Sequence, residues 1–253
     1  MPYLANIRRW AIAATVLLPA LWAGGCATLG DGGARAANKA YVLAIANPLR
    51  TDADRAADAR RKPLEFLEFA QPRAGMRVLD VSAGDGYTTQ LLALMVGDSG
   101  TVWAQTPAMR PHLAERLKEH PQQNIIPVLQ PFDDPVPHDA PPLDLVTLIF
   151  NYHDIANLPV DRAQMDKRLF DALKPGGHLV VLDHSARAGR NANDTWTLHR
   201  IDEALVVHEL EQAGFRLEAT DDAFRNAADP RTQRIFDMTI PVDNFALRFI
   251  RPN

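Results

Sequence analysis

From residue 77 onward, short strand-type runs alternate with amphipathic helix-type segments, and this alternation constrains the fold more than any other feature of the chain. The clearest strand is Leu143 to Phe150 (LDLVTLIF), a nearly continuous apolar run of the kind found in strands buried on both faces. Strands that alternate with helices form mostly parallel sheets covered by helices. The sequence therefore predicts an α/β fold that binds its ligands beyond the carboxyl ends of the strands.

The other elements are predicted from the same periodicity. Strands are expected at 77–81, 101–105, 124–130, 178–183 and 215–219, and a last one at 245–251, at an edge of the sheet. Helices are expected at 87–96, 109–120, 162–173 and 201–213, with a further helical run from residue 63 to 69. The residues from Pro48 to that run are interpreted as turns rich in Arg and Asp.

The N-terminal segment has the composition of an export signal. Two arginines precede an apolar run, Trp10 to Ala23, that is shorter than a relaxed bilayer span. Ala23-Gly24-Gly25 then leads into Cys26, and this resembles the cleavage signal of bacterial lipoproteins, although Ala23 stands where that pattern prefers leucine. We expect a signal peptide at 1–25 and a lipid anchor on Cys26 that holds the chain in the bacterial cell envelope, facing the periplasm. The alternative is an uncleaved N-terminal anchor that leaves the domain at the cytoplasmic face.

The remaining chain divides into a tether and one domain. Residues 26–47 are mostly small and polar, with little periodicity, and are interpreted as the tether. Residues 48–253 are long enough for one well-buried α/β domain and short for two.

Composition excludes several classes of protein. The net charge of −4 lacks the basic excess of a general nucleic-acid binder, so no nucleic-acid partner is expected. The single cysteine excludes a disulfide framework and a zinc site built from cysteines.

A glycine turn follows the first predicted strand. The segment Asp80 to Tyr87 (DVSAGDGY) places an acid at the strand end and two glycines where the next helix begins. Glycine at such a point lets the backbone approach a ligand closely. A nicotinamide-binding turn would have a third glycine where Thr89 stands, which disfavours a Rossmann-type oxidoreductase. The segment resembles instead the D-x-x-x-G-x-G motif of class I S-adenosylmethionine-dependent methyltransferases, with Ser82 in place of a glycine that many members carry.

Further segments extend this resemblance over nearly the whole predicted domain. They are similar to a family of predicted methyltransferases that often carry an export signal. These segments are Asn151-Tyr-His-Asp154, Leu173-Lys-Pro-Gly-Gly-His-Leu-Val-Val-Leu182, Asp183-His-Ser-Ala186, Leu198-His-Arg-Ile-Asp202, Ala213-Gly-Phe215 and Arg225-Asn-Ala-Ala-Asp-Pro230.

The resemblance implies a Rossmann-like class I methyltransferase fold for residues 48–253, with a mostly parallel seven-stranded sheet and helices on both faces. It also implies S-adenosylmethionine as cofactor and methyl transfer to an acceptor, which we expect to be a small molecule. The alternative is a ligand-binding lipoprotein with this fold and no catalysis. No particular acceptor or oligomeric state is implied.

The resemblance further implies which residues bind the cofactor. Gln105, at the end of the second strand, stands where many members place an acid for the ribose hydroxyls, and an amide loses the charge-assisted hydrogen bonds of a carboxylate. Asp133, or its neighbour Asp134, would lie near the adenine amino group, or would be an ordinary solvated acid. The other expected contacts are Asp80, Ser82, Ala83, Gly84, Asp85, Gly86, Tyr87 and Asn151.

Two histidine–acid pairs are the predicted catalytic residues. His153 and Asp154 follow the fourth strand, and Asp183 and His184 close the fifth; these strands are neighbours in the implied sheet, so both pairs should meet at one mouth. Methyl transfer requires alignment, and also a base when the acceptor is a hydroxyl or a protonated amine. His153 is the favoured base, although either pair could instead hydrogen-bond loop backbone. The four side chains include metal-ligand types, but no compact ligand spacing supports a metal, so none is predicted.

Overall fold

The structure is a computed structural model that describes residues 30–253, with side chains from residue 37 onward. The predicted signal peptide, 1–25, and Cys26 lie outside the described residues. Within the described part of the chain, no helix is both long and apolar enough to cross a bilayer.

Seven strands form one sheet in the order β3-β2-β1-β4-β5-β7-β6. The first five pair in parallel, and β7 is antiparallel to both β5 and β6. This confirms the predicted α/β fold with a mostly parallel seven-stranded sheet. The strands are β1 (Arg77–Val81), β2 (Thr101–Thr106), β3 (Ile125–Leu129), β4 (Leu143–Ile149), β5 (Leu173–His184), β6 (Arg216–Thr220) and β7 (Asn244–Ile250).

Helices cover both faces of this sheet. One apolar cluster includes Leu91 and Leu92 of one helix layer, and the other includes Met165, Leu169 and Leu210 of the opposite layer. The helices are α1 (Gly30–Ile45), α2 (Asp52–Arg61), α3 (Pro63–Ala70), α4 (Tyr87–Val96), α5 (Pro111–Glu119), α6 (Tyr152–Ile155), α7 (Arg162–Ala172), α8 (Thr195–Leu198) and α9 (Glu203–Gln212).

The last strand does not lie at the sheet edge, where the sequence analysis expected it. β7 lies between β5 and β6, and Phe245, Leu247 and Phe249 are fully buried there. The edge strand is β6, whose RLEAT sequence has no fully buried residue. A polar strand can remain at an edge in contact with water, whereas the apolar β7 is stabilised by neighbours on both sides.

Helix α1 occupies much of the predicted tether, 26–47. Its Tyr41 and Ala44 are only 6% and 5% exposed and belong to the core cluster that includes α3 and α4. Alanine-rich sequence has little apolar periodicity, but alanine is also the strongest helix former, and packing against the domain then stabilises the helix. The folded part of the chain therefore begins before residue 48.

Helix α2 replaces the turns expected after Pro48. It begins with a capping box, in which Thr51 accepts from the Asp54 backbone N–H and Asp54 accepts from the Thr51 N–H. Asp54 also receives two hydrogen bonds from Arg116 of α5, at 2.7 and 2.9 Å. Polar contacts of this kind stabilise α2 without an apolar stripe, which is why hydrophobic periodicity did not reveal it.

Candidate active site

The glycine turn, residues 82–86, connects β1 to α4 at the carboxyl edge of the sheet. Ser82, Gly84 and Gly86 all have left-handed φ angles, of +57°, +59° and +85°. A Cβ added to Gly84 would meet only the Ser82 carbonyl oxygen, at 3.9 Å. The turn therefore exposes backbone with room for a ligand above Gly84, which fits the expected cofactor.

Gly86 has a different role. A Cβ there would lie 3.0 Å from Leu113 Cδ1 and 3.1 Å from Arg116 Cδ and Nε, so its hydrogen is required for close packing against α5. Arg116 Nε also donates to the carbonyl of Asp85 at 3.0 Å. These contacts lock the turn onto α5 on one side.

Asp80 lies beneath the turn instead of on its open surface. Its side chain is 1% exposed, and its two oxygens accept from the hydroxyls of Thr89 (2.6 Å) and Thr147 (2.9 Å). Burial raises the pKa of Asp80 to about 6, although both threonine hydroxyls act in the opposite direction. Asp80 therefore joins α4 to β1 and β4, whereas the sequence analysis expected it to contact the cofactor.

Gln105 is likewise engaged within the protein. It is fully buried; its Oε1 accepts from the Ser82 N–H at 2.9 Å, and its Nε2 donates to the Gln130 carbonyl at 2.7 Å. Ala83, also buried, donates its N–H to the Gln105 carbonyl at 2.8 Å. With both ends of the amide engaged within the protein, Gln105 shapes the turn, and its contact with a ribose stays a prediction.

The other expected cofactor contacts fall into two groups. Asn151 Nδ2 donates to the Ile149 carbonyl (2.9 Å) and the Ser82 carbonyl (3.3 Å), so it joins the end of β4 to the turn. By contrast, the carbonyl of Asp133 accepts from Gln164 of α7 at 3.3 Å, which connects its loop to α7.

Helix α2 adds residues that the sequence analysis missed. The Arg61 guanidinium carbon lies 4.8 Å from the Tyr87 ring centroid and 5.6 Å from that of Phe150. The Tyr87 hydroxyl donates to Asp58 at 2.7 Å, which fixes the ring against α2. The capping box at Thr51 was a sequence signal for this helix, but no signal indicated that Arg61 would face the turn.

The two histidine–acid pairs meet, as the adjacency of β4 and β5 predicted. His153 Nδ1 is 2.6 Å from Asp183 Oδ1, and the His153 backbone N–H donates to Asp183 Oδ2 at 2.8 Å. His153 Nε2 lies 3.2 Å from Asp154 Oδ1. The rings of His153 and His184 are 5.3 Å apart.

His153 is not a free base in this arrangement. Burial favours its neutral form, but the carboxylates of Asp183 and Asp154 outweigh burial and raise the pKa of His153 well above its ordinary value. Both ring nitrogens are occupied by those carboxylates. His153 is therefore held between two carboxylates, and its role as the base stays a prediction.

His184, the histidine of the second pair, favours the neutral form. Burial lowers its pKa to about 4. Its Nδ1 lies 2.6 Å from Asn244 Oδ1, and Asn244 Nδ2 donates to the Val242 carbonyl at 3.1 Å, which orients the amide. Nδ1 must then carry the proton, an assignment that rests on the hydrogen-bond network. The His184 ring stacks on Phe150 with centroids 4.9 Å apart.

Comparisons with known proteins show the family and the fold. Residues 52–220 match the family model described as a methyltransferase domain. The ubiquinone/menaquinone biosynthesis C-methyltransferase UbiE of Proteus mirabilis is 28% identical over 161 residues, covering 63% of this chain and 60% of that protein. The corresponding enzyme of Shewanella sediminis is 27% identical over 121 residues, covering 47% of each. The chain thus spans about half of the length of these relatives.

Solved structures show the same fold. A SAM-dependent methyltransferase from Aquifex aeolicus superposes with a TM-score of 0.58 at 20% identity, covering 84% of this chain and 96% of that one. A SAM-dependent O-methyltransferase from Thermotoga maritima gives 0.50 at 17% identity, covering 74% and 63%. Together with the glycine turn and the strand order, the family match establishes that the chain belongs to the methyltransferase domain family.

Proposed function

We propose that this enzyme methylates a ring carbon of a small, planar acceptor that carries an ionisable hydroxyl. The observation that supports this is a cluster of aromatic rings with a guanidinium packed against them, beside the glycine turn. We call this cluster the aromatic platform: it consists of Arg61, Tyr87, Phe150 and His184.

The Arg61 guanidinium makes the platform suited to an anion. Burial lowers the pKa of Arg61, which means that the surroundings destabilise its charged form. Among the residues whose side chains the structure describes, none accepts a hydrogen bond from that guanidinium. An ionised hydroxyl of the acceptor would offset this destabilisation by a charge-assisted hydrogen bond. The partly exposed rings of Phe150 and His184 would contact the ring of the acceptor.

Pairing with Arg61 also favours carbon as the methylated atom. The ring carbon would attack the electrophilic methyl group of S-adenosylmethionine, S-adenosylhomocysteine would leave, and the hydrogen of that ring carbon would be released as a proton to solvent. An acceptor oxygen that is held by a guanidinium has its lone pairs engaged, while its charge is delocalised onto the ring carbons. The turn backbone at Gly84 and the platform would then hold the two reactants in line. The names of the relatives, which are C-methyltransferases, support the same choice.

Kinetics of one arginine variant would test the proposal. The full chain is incubated with methyl-labelled S-adenosylmethionine and a panel of phenols, hydroquinones and amines, and the labelled atom is located. Arg61→Gln should raise the KM for the active phenol about 10- to 100-fold, the range for losing a hydrogen bond to a charged group, and should leave cofactor affinity unchanged. The matched control is Arg60→Gln, because Arg60 is its exposed neighbour on the same helix.

Two results would contradict the proposal. One is an Arg61→Gln enzyme whose KM equals that of Arg60→Gln. The other is a labelled methyl group on oxygen or nitrogen.

We also propose that the chain is exported and anchored by lipid on Cys26. The support is the sequence alone: two arginines, the apolar run 10–23 and the chain's single cysteine directly after Ala23-Gly24-Gly25. Mass spectrometry of the N-terminal peptide decides between the outcomes, since lipid on Cys26 supports export and retention of residues 1–25 refutes it.

A further inference from the structure

Three side chains near the ends of β4 and β5 point their ligand atoms at one another. His153 Nε2 and His199 Nδ1 each lie 3.2 Å from the same oxygen, Oδ1 of Asp154. All three atoms lie within 4.8 Å of one another. A charge-assisted hydrogen bond is usually about 2.7–2.9 Å long. In a tetrahedral zinc site with bonds of about 2.0 Å, by contrast, neighbouring ligand atoms are roughly 3.3 Å apart.

We propose that His153, Asp154 and His199 form a binding site for a divalent transition-metal ion, of which zinc fits best. Two imidazoles and one carboxylate are a common ligand set for zinc. Sequence spacing does not predict this set, because His199 lies 45 residues beyond Asp154. This inference does not depend on the proposed acceptor or on methyl transfer.

The hydrogen bonds of Asp183 independently support a metal site at this position. It is fully buried, and it holds His153 twice, through Nδ1 at 2.6 Å and through the backbone N–H at 2.8 Å. It also accepts from the His184 N–H at 2.8 Å, so its own position is fixed. Metal-binding histidines almost always donate their other ring nitrogen to such a carboxylate, which orients the ring. Asp183 thus directs Nε2 of His153 toward Asp154 and His199.

The site is open on one side. The side chain of His153 is 3% exposed, that of His199 24% and that of Asp154 51%, so an ion could enter from solvent beside Asp154. Three protein ligands and an open position are typical of zinc sites that bind a further ligand, whereas purely structural sites have four protein ligands. The negative charges of Asp154 and Asp183 beside the rings favour a bound cation.

Zinc titration of the purified full chain tests the proposal. The protein, prepared without a histidine tag and treated with chelator, is titrated with ZnCl₂ by calorimetry. The wild type should bind one equivalent. His199→Gln and Asp154→Asn should each weaken zinc binding at least about 100-fold, beyond the 10- to 100-fold loss typical of an outer-shell change, while circular dichroism stays unchanged.

His112→Gln is the matched control. His112 is an exposed histidine that lies 3.7 Å from Glu115 and three residues before it, so it is a histidine–acid pair without a third ligand. This variant should bind zinc as the wild type does. Cobalt(II) offers a second readout, because a tetrahedral site gives intense visible absorption bands that His199→Gln should remove.

Two results would overturn the site. One is a wild-type chain that takes up no zinc. The other is equal zinc affinity in the wild type and in both ligand variants, which would show that the three side chains only hydrogen-bond with one another.

Discussion

The amide of Gln105 satisfies two backbone groups beneath the glycine turn, the N–H of Ser82 and the carbonyl of Gln130. Ser82 has a left-handed φ of +57°, a conformation that a non-glycine residue adopts only when its surroundings hold it. The Gln105 side chain therefore contributes to the shape of the turn that Gly84 exposes.

Gln105→Glu separates this role from the expected contact with a ribose. A carboxylate has no N–H for the Gln130 carbonyl and would place a charge in a fully buried position. We expect a loss of about 1–3 kcal/mol or more in unfolding free energy, measured by urea denaturation, and no gain in cofactor affinity. Gln123→Glu, at an exposed position, is the control. Unchanged stability with tighter cofactor binding would instead restore the ribose role.

At this scale the motif predicted which residues lie at the strand ends, but not where their side chains point. Successive side chains of a strand face opposite sides, and the position of one turn residue decides whether a group faces the ligand or the core. Asp80 and Gln105 are both at the expected strand ends and both point inward. His153 reaches the mouth as expected, but its protonation depends on Asp183, thirty residues away, and on burial, which sequence spacing does not report.

Between elements, a buried polar cluster connects α6, α7 and α9. The Tyr152 hydroxyl lies 2.9 Å from Asp166 Oδ2 and 2.8 Å from Glu209 Oε2. One hydroxyl proton cannot serve two carboxylates, so a second proton is required. Burial raises the pKa of Asp166 to about 8, with Glu209 adding to the shift, and Asp166 therefore carries that proton near neutral pH.

Asp166 should make stability depend on pH. Its folded pKa of about 8 exceeds the ordinary value of 3.8, so between these values the folded chain holds a proton that the unfolded chain has lost. Stability then falls as pH rises through this window, by up to about 1.4 kcal/mol per pH unit. Asp166→Asn should flatten this fall between pH 5 and 7 in urea unfolding curves. Asp171→Asn, on the exposed side of α7, should keep the wild-type slope; parallel curves for wild type and Asp166→Asn would contradict the assignment.

Elements with strong local signals were predicted well, and those that depend on tertiary contacts were not. α4 has its predicted bounds, because an apolar periodicity follows directly on a glycine turn. α2 has no such stripe and depends on the pair of Asp54 with Arg116, sixty-two residues away. α1 depends on the burial of Tyr41 in the domain core. Local sequence patterns do not predict either of these tertiary contacts.

In the whole molecule, the strand order of the sheet places the site residues at one edge. β1 pairs with β4, and β4 with β5, so the glycine turn, the platform residue Phe150 and the His153–Asp183 pair share one carboxyl edge. The alternation of strands and helices predicted this parallel core, and the resemblance implied its order. The predicted edge position of β7 was wrong. Strand pairing depends on which strands, distant in the sequence, become buried beside one another, and the pattern of a single strand does not show this.

Binding of S-adenosylmethionine over the glycine turn can be measured by calorimetric titration of three chains. The chains are wild type, Gly84→Val and Gly176→Val. Gly84 and Gly176 have similar left-handed φ angles, +59° and +76°, so both variants carry comparable backbone strain, and an added Cβ at Gly176 meets no atom within 4 Å. Only the Gly84 side chain would occupy the space for the cofactor. We expect one bound equivalent in wild type and Gly176→Val and at least about tenfold weaker binding in Gly84→Val, a loss of roughly 1.4 kcal/mol or more. A wild-type chain that does not bind the cofactor, or a folded Gly84→Val chain that binds it as tightly as wild type, would contradict this expectation.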